Sequence, residues 1–293
     1  MRLKKVFPAV FCFIFIFFEI ISAKSLDLFA LLSPETPTEN FILQTGTISS
    51  AGQNPAGLIN IHPNELKYSH VFYLADISQD SLYYGHQFGK NNSLGVILSF
   101  LYTDLLYTRD KNNARFTSAY ISSKISYAHH FLNCLSVGAS IKFGFDTDIP
   151  QYRLPAYAAA DLGAVFTLPR NNRFSFHLYL QDIFVSSLFY TLPLTVNLGV
   201  GIKIIDCIYT STAMQLKFDE ESSLIGIAVD YKPVQKPIYF RVDYKQKLGE
   251  DIHTLNLNFG MGITFTKVTI EYMFSPFISF AENIQKLSLK INF

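Results

Sequence analysis

From about Glu65 to its end, the chain repeats one pattern, with an apolar residue at every second position. Leu194, Val196, Leu198, Val200, Ile202 and Ile204 alternate with Thr195, Asn197, Gly199, Gly201 and Lys203. Leu255, Leu257, Phe259, Met261, Ile263 and Phe265 alternate with Asn256, Asn258, Gly260, Gly262 and Thr264. The same period runs through 208–218, 224–231, 238–244 and 268–274, and through Leu287, Leu289, Ile291 and Phe293. Successive side chains of a strand point to opposite faces, so a period of two predicts strands and excludes helices. Earlier segments, 66–74, 82–88, 94–107, 116–131, 135–145, 156–168 and 174–184, have the same character and are rich in Tyr, Phe and Val. Polar turns such as Lys90-Asn91-Asn92-Ser93 and Pro169-Arg170-Asn171-Asn172 separate them.

The count is roughly fourteen strands of about 9–14 residues each, where soluble strands average about 5–6 and a membrane-crossing strand needs about 9–11. Tight connections alternate crudely with longer ones, among them Arg109–Asn113 and Asp146–Pro155. Phe and Tyr gather near strand ends, where a barrel places its aromatic girdles. The fold expected is all-β: a transmembrane antiparallel β-barrel over residues 63–293. A secreted sandwich or β-helix would need a second sheet to cover the same apolar face.

With the apolar positions toward lipid, the intervening ones line the lumen. Many are small, including Ser136, Gly138, Ser140 and Gly144, and Gly199, Gly201, Gly260 and Gly262. They either leave room for an occupant of the lumen or ease the curvature of the wall. Inward charges look scattered along the sequence: Lys142, Lys203, Lys217, Arg241, Asp243, Glu271 and Lys290. No cluster of one sign, as an ion pore carries, is visible.

The N-terminus adds the compartment. Arg2, Lys4 and Lys5 precede an apolar run, Val6 to Ile21, and Ile21-Ser22-Ala23 offers a cleavage site. Residues 1–23 therefore read as a secretory signal peptide; Glu19 and the shortness of the run disfavour a membrane anchor. Cleavage removes three positive charges and one negative, moving the formal charge from +1 to −1. A near-neutral chain without a basic patch argues against nucleic acid as partner. Charged residues are only 16% of the chain and hydrophobic ones 49%, without a second apolar stretch able to cross a membrane as a helix. Cys134 and Cys207 are too few and too isolated for a disulfide framework or a metal site, and no cofactor is implied.

Between the signal and the strands, residues 24–62 break the pattern as a segment too small to be a domain. It contains Ser33-Pro34-Glu35-Thr36-Pro37 and the flexible Gly46–Gly52, and ends in Gln53-Asn54-Pro55-Ala56-Gly57-Leu58. Asn, Pro and Gly at the first, second and fourth positions form a type I turn signature. A short linker and the first strand follow, and the last strand ends on Phe293. In these features the chain resembles the FadL-type outer-membrane transporters and the related PorV-like proteins. The resemblance covers the layout of the mature chain, but in motif only residues 45–61 and the last strand.

That resemblance implies fourteen strands around an N-terminal hatch inside the lumen, with Asn54, Pro55, Ala56 and Gly57 as hatch residues. It implies a C-terminal assembly signal at Phe293 read by the barrel-assembly machinery, outer-membrane lipid as surroundings, and hatch-gated diffusion of long-chain fatty acids or other hydrophobic small molecules. The chain is smaller than typical transporters and its segment before the turn is shorter, so no ligand contacts are carried over. The location implied is the outer membrane of a diderm bacterium. A small-solute porin, an accessory of protein export and a surface adhesin are the alternatives. An enzyme is disfavoured: His129, His130, His177 and His253 are not placed beside a serine and an acid. His129 and His130 cannot share a strand face, and Asp219-Glu220-Glu221 and Glu250-Asp251 fall in expected loops.

Overall fold

A computed structural model describes residues 45–73, 77–107, 115–131, 134–146, 157–169, 173–187, 193–218, 223–234, 236–248, 256–276 and 283–293. The expected signal peptide, residues 24–44, Arg109–Asn113, Asp219–Glu221, Glu250–Asp251 and His253 lie outside the described residues.

Fourteen strands follow the chain: β1 (Asn64–Phe72), β2 (Ile77–Phe88), β3 (Asn92–Tyr107), β4 (Arg115–Phe131), β5 (Leu135–Asp146), β6 (Tyr157–Thr167), β7 (Phe174–Ser187), β8 (Thr195–Ile205), β9 (Ile208–Lys217), β10 (Ser223–Tyr231), β11 (Ile238–Leu248), β12 (Asn256–Phe265), β13 (Val268–Pro276) and β14 (Asn283–Asn292). Each pairs antiparallel with its sequence neighbours, and β14 returns to β1 from Glu65↔Asn292 to Phe72↔Gln285. Closure leaves no strand edge, which is what lipid demands of a sheet whose backbone groups can find no water. No helix among the described residues is long and apolar enough to cross a membrane.

An even strand number brings both ends of the barrel to one rim, where the Phe293 amide donates to the Asn64 carbonyl (3.0 Å). Two-residue turns lie at that terminal rim, Asp206-Cys207 and Thr266-Lys267. The long connections, 108–114 and 147–156, join strands at the opposite rim.

The alternation read from the sequence sets the two faces. Ile125, Ile141, Leu198 and Phe259 are exposed on the outside, while their neighbours Lys124, Lys142, Asn197 and Asn258 are buried inward. Several boundaries differ from expectation: β7 and β11 run on to Ser187 and Leu248, β14 starts at Asn283, and β2 and β3 start early. β2 starts at Ile77 rather than Leu82, because Ser78–Ser81, which lack alternation, are carried by pairing with β1 and β3. β3 starts at Asn92, inside the expected polar turn, paired with Phe88. Among the described residues the register of the wall shifts at three places, between Thr103 and Leu106 of β3, between Lys203 and Ile205 of β8, and between Ala160 and Leu162 of β6, the last of which bears on the charged interior. Between Ala160↔Phe184 and Leu162↔Leu180, Asp161 of β6 faces the three residues Gln181, Asp182 and Ile183 of β7, with Asp182 at φ 60°.

Candidate functional site

Residues 46–61 form a compact unit against the inner face of the wall. Helix α1 (Ser50–Gln53) leads into a 3-10 turn at Pro55–Leu58. Asn54 caps that turn, its side-chain oxygen accepting from the Ala56 amide (3.0 Å), and proline supplies the fixed φ of the first position. The unit closes on itself through Gly46 N–H to Gly57 O (2.9 Å). The type I turn expected at Asn54–Gly57 is thus drawn out into a 3-10 helix, and Ser50–Gln53 just before it are helical. Asn54, Pro55, Ala56 and Gly57 are all buried.

The contacts of this unit are with inward positions of the wall. Ile48, Ala51, Leu58, Ile59 and Ile61 pack with Tyr83, Ile97 and Ala128. The Asn54 amide donates to Leu178 O (3.2 Å) and Ala164 O (3.4 Å). Glu65 accepts from the Ile48 amide (2.8 Å) and the Thr47 hydroxyl (2.7 Å); Lys67 donates to Ser49 Oγ (2.8 Å). The two alternatives for the lumen glycines divide by position. A β-carbon on Gly138 would strike the Pro55–Ala56 backbone, and one on Gly163 would strike Asn54, so these make room for the segment. A β-carbon on Gly144, Gly201 or Gly262 would instead meet an inward tyrosine of a neighbouring strand: Tyr120 and Tyr157, Tyr209, and Tyr239 respectively.

The inward charges that look scattered in sequence gather in space. Lys124 and Lys142 flank Asp161 (3.1 Å each), and Lys142 also reaches Asp182 across the bulge (2.7 Å). Tyr179 and Ser140 donate to the Asp161 carboxylate (2.9 Å each), and the Asp182 amide does so at 3.0 Å. Lys124 extends this cluster to the segment by donating to Gly52 O (3.1 Å). A second cluster joins Lys67 to Glu271 (2.9 Å), with Tyr239 donating to Glu271 (2.7 Å). Arg241 stands near Asp243 (3.4 Å) and Asp230 (3.6 Å), and Asn258 donates to Asp243 (2.6 Å). Lys67, Lys124, Asp161, Asp182 and Asp230 are spread over more than 160 positions of the chain. Only the register brings them together.

Toward the long-connection rim the inner face changes character. Val71, Tyr73 and Ile284 pack with Ile77 and Leu101, and Tyr120, Tyr157 and Ala159 pack with Leu101 and Val185. Leu101 joins the two groups into one apolar and aromatic lining on β1–β4, β6, β7 and β14. Tyr120 and Tyr157 stack at 6.4 Å. Apolar residues at inward positions are missed by alternation alone, because Val71 next to Phe72, or Leu101 next to Phe100, reads as one apolar run.

The remaining candidates separate. His129 faces outward and bonds Asn92, whereas His130 faces inward and bonds Ser136 (2.8 Å each). His177 is buried beside Ser175 (3.0 Å). Cys134 and Cys207 are unbridged and occupy turns. At the turn holding Cys207, the bond from Lys203 keeps the Asp206 carboxyl below its ordinary pKa. No group of metal-ligating side chains occurs among the described residues.

No family model matches the sequence, and no curated protein matches it. Solved structures share its fold. The toluene transporter TbuX of Ralstonia pickettii superposes with a TM-score of 0.60 over 87% of this chain and 96% of its own, at 12% identity. The toluene transporter TodX of Pseudomonas putida does so with 0.60 over 93% and 98%, at 11% identity. A FadL homologue of Pseudomonas aeruginosa gives 0.53 over 86% and 95%, at 10% identity. At these identities the likeness is one of fold. This chain shares its barrel fold with these proteins.

Proposed function

We propose that this chain is an outer-membrane transport barrel of a diderm bacterium, passing hydrophobic small molecules such as long-chain fatty acids, with residues 45–60 as its gate. The observation that carries the reading is the inward apolar lining around Leu101, Tyr120 and Tyr157, which lies beyond the internal segment toward the opposite rim. A hydrophobic molecule gains about 25 cal/mol for each Å² of apolar surface it buries against this lining. Passage toward the terminal rim then requires residues 46–61 to move, against the bonds from Glu65, Lys67 and Lys124. A ligand shifts that balance only by favouring the displaced state. In this reading the outer face meets membrane lipid, Phe293 serves the barrel-assembly machinery, and the chain is not an enzyme.

The test is uptake of a labelled long-chain fatty acid into liposomes holding the purified barrel. Uptake above protein-free liposomes, with a rate altered by deleting residues 45–60, is the expected result. No acceleration, or no effect of the deletion, overturns the reading.

A second reading, a diffusion pore for small polar solutes, draws on the opposite wall. There Asn197, Ser211, Arg241, Asp243 and Asn258 face inward. It requires steady ion conductance of the intact protein in planar bilayers.

A further inference from the structure

The lipid-facing surface is uneven in height. On β5 the outward residues Leu135, Val137, Ala139, Ile141, Phe143 and Phe145 are all apolar. On β8 the outward series from Leu194 to Ile204 is apolar as well. Each series runs over eleven residues, ten steps along the strand. Ten steps rise about 34 Å along a strand, and the usual 35–45° tilt leaves about 25 Å of height, the band a bilayer requires.

The β1–β2 pair departs from this, bounded by polar pairs at both rims, and β3 and β4 carry one such pair at the terminal rim. Three outward histidines stand directly opposite an Asx residue of the adjacent strand: His70↔Asp80, Asn64↔His86 and Asn92↔His129. In each pair the histidine Nδ1–H donates to the Asx oxygen, at 2.7, 2.8 and 2.8 Å. The tyrosine two residues earlier, Tyr68, Tyr84 or Tyr127, donates to the same oxygen. A phenylalanine two residues later, Phe72, Phe88 or Phe131, covers the imidazole. The sequence Tyr-x-His-x-Phe thus occurs three times with the same hydrogen bonds, while the ring contact is edge-on at His70 and His129 (4.2 and 4.3 Å) and parallel at His86 (6.1 Å). Tyr102 adds a third donor to Asp80 (3.1 Å).

Asp80 lies toward the long-connection rim and His86 toward the terminal rim, six residues apart on β2. Six residues give about 20 Å of strand and about 15 Å of height, well short of the ordinary band. An ionisable side chain on the lipid face is costly at the bilayer midplane, and the cost falls nearly to nothing at the interface. A bilayer meets a short apolar band by thinning, at a modest cost per ångström. Adjacent sectors of the same barrel keep a full band, so the deformation is confined to one side.

We propose that the membrane is thinned against β1 and β2, with lipid headgroups of one leaflet drawn in to the His70–Asp80 pair and those of the other to the His86–Asn64 pair and its neighbour His129–Asn92. Neutral imidazole with its Nδ1–H bound to the Asx oxygen leaves Nε2 to accept from a headgroup donor. The interaction surface is therefore a polar notch on the outer wall, and its partner is the phospholipid headgroup. It does not depend on what the lumen carries.

The chain has no tryptophan, so a single introduced one reports depth without background. Leu82→Trp, between the polar pairs, and Leu198→Trp, within the full band of β8, are placed in phospholipid bilayers whose acyl chains carry bromine at graded depths. Leu82 lies about 5 Å inside the nearer polar border of its sector, against about 10 Å for Leu198. The expected result is an apparent depth for Leu82→Trp about half that of Leu198→Trp. Adding His70→Leu and Asp80→Leu is expected to move Leu82→Trp to the depth of Leu198→Trp. Equal depths in the otherwise unaltered protein overturn the proposal, and so does a shallow Leu82→Trp that fails to deepen in the folded triple variant. If that variant does not fold, the contrast between the two single variants decides.

Discussion

The side-chain oxygen of Asn54 occupies the space that a β-carbon on Gly163 would need. This fixes the internal segment against the wall by shape as well as by the two bonds from the Asn54 amide to β6 and β7. Gly163→Ala, or Gly138→Ala at the neighbouring contact, is expected to loosen residues 46–61 by about 1–3 kcal/mol, the usual cost of overfilling a packed site. Hydrogen exchange over that segment is the measurement. Gly260→Ala is the control, because the nearest atom to its added carbon is 3.4 Å away.

Asp161 is fully buried between Lys124 and Lys142. Lys124→Met removes one cation and the bond to Gly52 together, leaving the carboxylate undercompensated. A loss of about 3–5 kcal/mol in urea unfolding from detergent micelles is expected, as for one partner taken from a buried pair. Combining Lys124→Met with Asp161→Asn is expected to recover part of it, since the stranded charge is gone.

Glu65 holds the start of the internal unit through the Ile48 amide and the Thr47 hydroxyl. Glu65→Ala is therefore expected to raise the fraction of time the lumen conducts ions in planar bilayers. Lys203→Ala, at the terminal rim on β8, is expected to leave conductance unchanged.

Leu101 ties the two apolar groups of the upper lumen together. Leu101→Asn is expected to weaken binding of a fluorescent long-chain fatty acid about tenfold, equivalent to about 1.4 kcal/mol of lost apolar burial. Displacement titration checks it, and thermal stability is expected to change little because polar residues already line much of the lumen.

The fold was readable because one physical rule, the period of two, operates in almost every strand at once. Leu194–Ile204 and Leu255–Phe265 announce both their conformation and their lipid face. The closed architecture follows from strand length and from the need to leave no edge in lipid. What escaped was whatever depends on register. Lys124, Asp161 and Asp182 are 37 and 21 residues apart along the chain, and only the pairing of β4 through β7 makes them one cluster. Ser78–Ser81 lack any strand pattern and are strand because both neighbours are. The inward Val71 and Leu101 were masked by outward aromatics beside them. The threefold Tyr-x-His-x-Phe is plain in the sequence, yet its meaning depends on an Asx residue supplied by the next strand.

The contacts named for the internal segment come from β1 through β7, the half of the wall that follows it most closely in the chain. Glu65, Tyr83, Ile97, Lys124, Gly138, Gly163 and Leu178 all precede the strands that complete the ring. The seam between β1 and β14, by contrast, joins residues more than two hundred positions apart, such as Glu65 and Asn292. The occupant of the lumen can thus find its seat on a curved, still open sheet. Closing the β1–β14 seam last would shut the ring around a segment already seated, with no thread to pass through a finished ring.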